Sequence, residues 1–363
     1  MKMNVGGETM KRSRSSSHKM ARMTQSRRGD PMKRIVTCLI VGVMLLSFIV
    51  GYASSLAAKE PIILQGVTMD APDTELMELV HVFVDRVNAE AKGELRIKWL
   101  GGPEVIPAFD SPEAVRKGTI QIDIYNSNRY YTGMMPEGDI GPLTLLTPWE
   151  ERKSGAYDLW DQIFQKKANV KYLGRIHSLC RSNIYVNTRV EKLKDLKGLI
   201  IRGSKLYGRI MEQFGASGVN MPLTDLYTSM DRKVINGFIT SIGMLDLGLH
   251  EVTKYMIEPG FFTLDAVTTV NLDTWNKIPK HLQDLMIKIM KEFEHVGYEW
   301  IQDNKAKEKQ KMIASGMEIL TLPPDDAKKF LEVAHRIAWQ TALERAPEYG
   351  PKLKELIYDY KMK

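Results

Sequence analysis

A chain of 363 residues, 44% hydrophobic and 26% charged, has the composition of an ordinary globular protein. Its formal charge of +7 invites a nucleic-acid reading, but ten of the 51 basic residues and only two of the 44 acidic ones precede residue 58. The rest is close to neutral, so no nucleic-acid partner is expected. The two cysteines, Cys38 and Cys180, exclude a disulfide-stapled fold.

The first element explains the basic excess. A 16-residue apolar run, Ile35–Val50, follows Met32-Lys33-Arg34 and precedes the small residues Ser55-Leu56-Ala57. That is the layout of a secretory signal peptide cleaved before Ala58, with Met32 a plausible start and an uncleaved anchor as the alternative. Residues 1–57 are therefore read as extension and leader, and the product as exported to the periplasm. The remainder is long enough for two domains.

From Pro61 onward, short strands alternate with helices. Ile62–Leu64 reads as a strand, and Leu76, Leu79, Val80, Phe83, Val84 and Val87 form one helical face. Leu95–Trp99 alternates as a strand. Ser111-Pro112 opens a helix that Gly118 closes, and Ile120–Ile124 is again a strand. This β-α-β-α-β order predicts a mostly parallel sheet with helices on both faces. A second unit has strands at Arg181–Asn187, Leu199–Arg202, Gly218–Met221 and Val234–Ile239, with helices at Lys205–Phe214 and Thr224–Arg232. A strand returns at Ala266–Leu272. Pro279 to Ser315 is one long helical pattern with Gly297 as a weak point, spanning over ~50 Å at ~1.5 Å per residue, enough to cross two domains.

Catalytic signatures do not stand out. The chain has no phosphate loop, Rossmann glycine pattern, Cys-x-x-Cys or zinc-protease helix. His281 and His295 stand ~21 Å apart along one helix, too far to share a metal. Cys180 reads as an inert buried thiol. KAKEKQK (305–311) reads as a solvated helix face. One arginine draws attention. Arg202 ends an apolar strand just before Gly203-Ser204, where an open α/β sheet holds its ligands. Such a side chain either points into the crevice, forms an interdomain salt bridge or snorkels to water.

The stretches EAVRKGTIQID (113–123), LKGLIIR (196–202), FGASGVNMP (214–222), LYTSM (226–230), VING (234–237) and DTWNKIP (273–279) resemble, in order and spacing, the solute-binding proteins of tripartite ATP-independent periplasmic (TRAP) transporters. The resemblance runs from about Ile62 to Ala346. It implies a two-domain clamshell without a cofactor. It also implies a small organic acid as ligand, membrane permease subunits as partners, and a monomer. Residues 58–178 and 266–300 would form domain I, and 179–265 and 301–363 domain II. Arg202 stands where the family pairs an arginine with the substrate carboxylate, and Arg181 matches a second, assisting arginine. Thr240 stands where the family often has a ligand-bonding Asn, Leu223 where it has Phe, and Asn126 where sugar-acid binders carry an acidic residue. With Phe238 and Tyr185, these residues predict a less polar cleft than a polyhydroxylated acid needs. The rival readings are an exported enzyme using the same cleft and a membrane-tethered sensory module.

Overall fold

The computed structural model describes residues 60–362, apart from 222–224, 242, 243 and 246, together with Met32. The leader and its cleavage site (Met32 aside) and the candidate residue Leu223 lie outside the described residues. From Glu60 the elements follow the expected alternation: β1 (Ile62–Thr68), α1 (Glu78–Glu90), β2 (Leu95–Gly101), α2 (Ser111–Arg116) and β3 (Ile122–Ser127). In α1 the apolar positions Leu79, Val80, Phe83, Val84 and Val87 are all at most 7% exposed, so the 3.6-residue period is what docks the helix. Two helices, α3 (Pro148–Ser154) and α4 (Ala156–Ile163), lead into β4 (Val170–Val186). Thr147 and Glu150 form a reciprocal capping box at the start of α3.

The second group contains β5 (Ile200–Arg202), α5 (Lys205–Glu212), β6 (Ser217–Val219), α6 (Leu226–Asp231), β7 (Gly237–Thr240) and β8 (Tyr255–Asn271). After α7 (Leu272–Trp275) come α8 (Lys280–Ala314), β9 (Glu318–Thr321) and α9 (Pro324–Arg345). One sheet holds the strands in the order β2-β1-β3-β8-β4-β7-β5-β6, with β9 beside β8. The outer pairs are parallel. The centre, β3–β8–β4–β7, is antiparallel.

Two strands are much longer than their sequence signals. β4 and β8 each run 17 residues and pair antiparallel along that length. The burial pattern of β4 does not alternate: residues 172–178 and 182–186 are buried without a break. In the first run, Arg175, His177 and Ser178 are all at most 2% exposed, so polar residues stand where an alternating strand should show apolar ones. The pairing register shifts repeatedly near residues 177–184, and Leu179 and Phe262 adopt positive φ of 57° and 48°. Non-glycine residues there are uncommon.

The long helix is as expected, with one correction. Gly297 is a close-approach site and not a weak point: a Cβ added there would meet the Ile176 carbonyl oxygen at 1.6 Å. α8 therefore lies directly on β4. Close by, Arg152 grips the buried Glu294 of α8 with two bonds, of 2.8 and 2.6 Å. The Lys305–Lys311 stretch is also less solvated than expected. Lys305 Nζ donates to the Arg181 carbonyl, and Lys309 pairs with Glu258 at 2.6 Å.

Candidate functional site: two arginines at strand ends

Register places several predicted residues in rows across the sheet. Arg202 on β5 lies beside Phe238 on β7, which lies opposite Tyr185 on β4. Two residues on, Thr240 lies opposite Asn183. Arg202 is the last residue of β5, and Ser204 caps α5 just beyond it, its hydroxyl accepting from the Tyr207 N–H at 3.5 Å. Both Nε and Nη2 of Arg202 donate to the Met221 carbonyl, at 3.0 and 2.9 Å. No carboxylate among the described residues pairs with this guanidinium. Partial burial lowers its pKa from the usual value, with nearby Tyr207 opposing, yet an arginine this basic keeps its charge.

Tyr207 gathers the rest of the site. Its hydroxyl lies 3.2 Å from the Ser182 hydroxyl, and the Arg129 guanidinium stands 5.4 Å above its ring. Arg129 comes from the other strand group, two residues past the end of β3. Its N–H donates to Ser127 Oγ at 3.3 Å, and that hydroxyl donates to Asp265 Oδ1 at 2.9 Å. Burial raises the Asp265 carboxyl to about 6, opposed by Arg129, the Ser127 bond and Arg175. Arg129 thus stands over the Tyr207 ring just past the end of β3, and Arg202 ends β5 five residues before Tyr207, two guanidiniums at the carboxyl ends of parallel strands, where a planar anion could be held.

The other predicted residues fall elsewhere. Asn126 is fully buried. Its Nδ2 donates to Ser111 Oγ (2.7 Å) and Asp123 Oδ2 (2.5 Å), and its Oδ1 accepts from the Ser127 N–H (2.8 Å). That amide is occupied internally. Phe238 and Tyr185 are at most 2% exposed and stack with ring centroids 5.4 Å apart, in a core shared with Leu226 and Met230 of α6. Thr240 is half-buried at the end of β7. Arg181 lines a separate cavity of about 1310 Å³ with Asn183 and Tyr185, and Arg202 is not among its lining residues. Cys180 is buried as expected, its thiol donating to the Ser241 carbonyl at 3.4 Å and pushed up to about 11 by burial.

Arg129, Tyr207 and Asp265 are not among the sequence candidates. Arg129 carries the same signal as Arg202, a guanidinium just past the carboxyl end of a parallel strand. Tyr207 falls in the first turn of a helix and reads as packing. Asp265 lies within β8, in a stretch where no strand is expected, so nothing local marks it.

Comparison with known proteins agrees with this architecture. Residues 67–344 match the sequence profile of DctP, the bacterial extracellular solute-binding protein family 7. An uncharacterized protein of Haemophilus influenzae is 28% identical over 308 residues, which are 80% of this chain and 88% of that one. A monocarboxylate 2-oxoacid-binding periplasmic protein of Nostoc is 26% identical over 214 residues, 55% of this chain and 57% of its own length. Among solved structures, a TRAP periplasmic solute-binding protein of Desulfovibrio salexigens with bound orotic acid superposes with a TM-score of 0.69 at 19% identity, covering 82% and 97% of the two chains. DctP7 of Bordetella pertussis, binding pyroglutamic acid, gives 0.68 at 17% identity and 81% and 99% coverage. With the profile spanning most of its length, the chain belongs to the DctP family of bacterial extracellular solute-binding proteins, family 7.

Proposed function

We propose that this receptor captures a small organic monocarboxylate between Arg202 and Arg129 and delivers it from the periplasm to a TRAP permease. The observation that carries this reading is a guanidinium from each strand group at the carboxyl end of a parallel strand: Arg129, just past β3 and 5.4 Å over the Tyr207 ring, and Arg202, the last residue of β5. A carboxylate entering there would meet the planar fork of Arg202, and such charge-assisted bonds gain strength away from water. The ligand would also bridge the strand groups, here assigned to domains I (58–178 and 266–300) and II (179–265 and 301–363). A single carboxylate with a keto, aromatic or branched body suits a site whose Tyr207 ring packs against Phe261 and Phe262. The 2-oxoacid named for the Nostoc relative, and the orotic and pyroglutamic acids named for the structural neighbours, are carboxylates of that size.

Calorimetry with 2-oxobutyrate, pyroglutamate and orotate tests the reading. At least one should bind saturably at one site, and Arg202→Ala should weaken it severely. Silence from all three acids, or native affinity in Arg202→Ala, would overturn it.

A further inference from the structure

We propose that Asp70 is a specificity residue of the carboxylate site, accepting a hydrogen bond from an N–H group on the body of the ligand. The acid captured then carries an amide or ammonium N–H near its carboxylate. The inference rests on the proposed function and names a class of acid within it.

Asp70 follows β1 by two residues, at the carboxyl ends of the parallel strands β1 and β3. Backbone contacts fix it there. The Met69 N–H donates to the Tyr125 carbonyl of β3 at 2.8 Å, and the Thr68 hydroxyl donates to the Asp70 carbonyl at 2.8 Å. A Cβ added to Gly102 would meet that carbonyl at 2.3 Å, so the turn after β2 lies directly against it. The half-buried carboxylate has neither a hydrogen bond nor an ion pair among the described residues. Burial raises it to about 6, which leaves it mostly ionised at neutral pH. Nearby acids are better served, since Asp123 accepts from Ser111 and Asn126, and Asp265 from Ser127. A desolvated carboxylate without a donor is costly, and a ligand N–H relieves it.

The same neighbourhood contains Arg129. Burial raises the Tyr130 phenol, the Asp70 charge raises it further, and the adjoining Arg129 opposes. One phenol is thus within electrostatic reach of both groups, and an acid gripped by Arg129 has Asp70 near its body. Phe109, from the loop before α2, packs on the Tyr130 ring with centroids 4.3 Å apart yet is 74% exposed, so this wall opens to solvent on that side. Toward an acid without a donor, the Asp70 charge is only repulsive. Toward one with an N–H, it accepts a charge-assisted bond. Asp70 therefore discriminates between monocarboxylates of equal size and charge.

Calorimetry with pyroglutamate, and with the lactone in which a ring oxygen replaces its N–H, tests the proposal because the two acids share shape and charge. Wild-type protein should bind pyroglutamate at least about tenfold more tightly, the scale of a hydrogen bond to a charged group. Asp70→Leu should bring that ratio close to one, and the isosteric Asp70→Asn should shrink it. Arg202→Lys should weaken both acids alike and keep the ratio. Equal wild-type affinities for the two acids, or a wild-type ratio preserved in Asp70→Leu and Asp70→Asn, overturn the proposal and leave the carboxylate site standing. If neither acid binds while 2-oxobutyrate does, the proposal again falls alone. If 2-oxobutyrate and orotate are silent as well, the carboxylate reading falls with it.

Discussion

The position of Arg202 at a strand end was legible because its surroundings were: an apolar strand, a flexible step and a following helix leave the guanidinium at the carboxyl end of β5, where the proposed ligand site lies. Among the described residues its guanidinium donates to the Met221 carbonyl. Truncating one member of a buried, hydrogen-bonded charge pair costs roughly 2–5 kcal/mol, so Arg202→Ala should weaken the carboxylate by about thirtyfold to several thousandfold. Arg202→Lys keeps the charge, loses the planar fork and should also bind poorly. Without ligand, either variant should lose less than about 2 kcal/mol of stability, the scale of one charged hydrogen bond. Calorimetry and thermal melts on the same samples separate the two effects. A large loss of unliganded stability with little loss of binding would make Arg202 a structural residue.

Asn126 shows the opposite case, a position matched by resemblance whose side chain is spent on its own strand. Its partner Asp123 is fully buried, with one carboxylate oxygen lacking a hydrogen-bond partner, and burial raises it to about 7 against the opposing bonds from Asn126 and Ser111. A raised carboxyl binds its proton more tightly folded than unfolded, so its contribution is complete below about pH 4 and declines as pH rises to about 7. Asp123→Asn removes that dependence. The melting temperature of the variant relative to wild type should therefore climb between pH 4 and pH 7 and level off above. Parallel melting curves across that range would show that Asp123 does not titrate there.

At the scale of elements, the helices with clean apolar stripes and the alternating strands of the first unit could be read from periodicity, as α1 and β2 show. β4 and β8 could not. Their central residues are polar and buried together, so alternation fails just where the strands cross from one group to the other. Gly297 illustrates the same limit, because a glycine in a helical pattern looks like a defect until its neighbour is known. Gly297→Ala gains up to about 1 kcal/mol of helix propensity. It must also push the Ile176 carbonyl aside, and overpacking of this kind costs typically 1–3 kcal/mol or more. The net expectation is a melting temperature lower by several degrees. Gly133→Ala is the control: a Cβ there meets nothing within 4 Å, and the variant should melt close to wild type. Equal melting of the two variants would remove the close approach of α8 to β4.

For the whole molecule, function depends on whether the two strand groups move. They are joined through β4 and β8, whose pairing is interrupted between residues 177 and 184 and whose Leu179 and Phe262 have left-handed backbone. A regular ladder would resist bending there, and a bulged one has fewer bonds to break. Arg129 and Tyr207 reach toward each other from the two groups, so an anion held by Arg129 and Arg202 would favour the arrangement that brings them together. A ligand shifts such an equilibrium only by its differential affinity for the two forms. Scattering from the protein freed of residues 1–57 should therefore give a larger radius of gyration without ligand. Saturating carboxylate should bring it toward the roughly 19 Å expected of one compact body of about 300 residues. Arg129→Ala should bind more weakly and compact less at equal ligand concentration, because the ligand then bonds only one of the two groups. An unchanged radius at saturation would mean that the receptor is already closed, and Arg129 and Arg202 would then be a rigid seat with no part in closure.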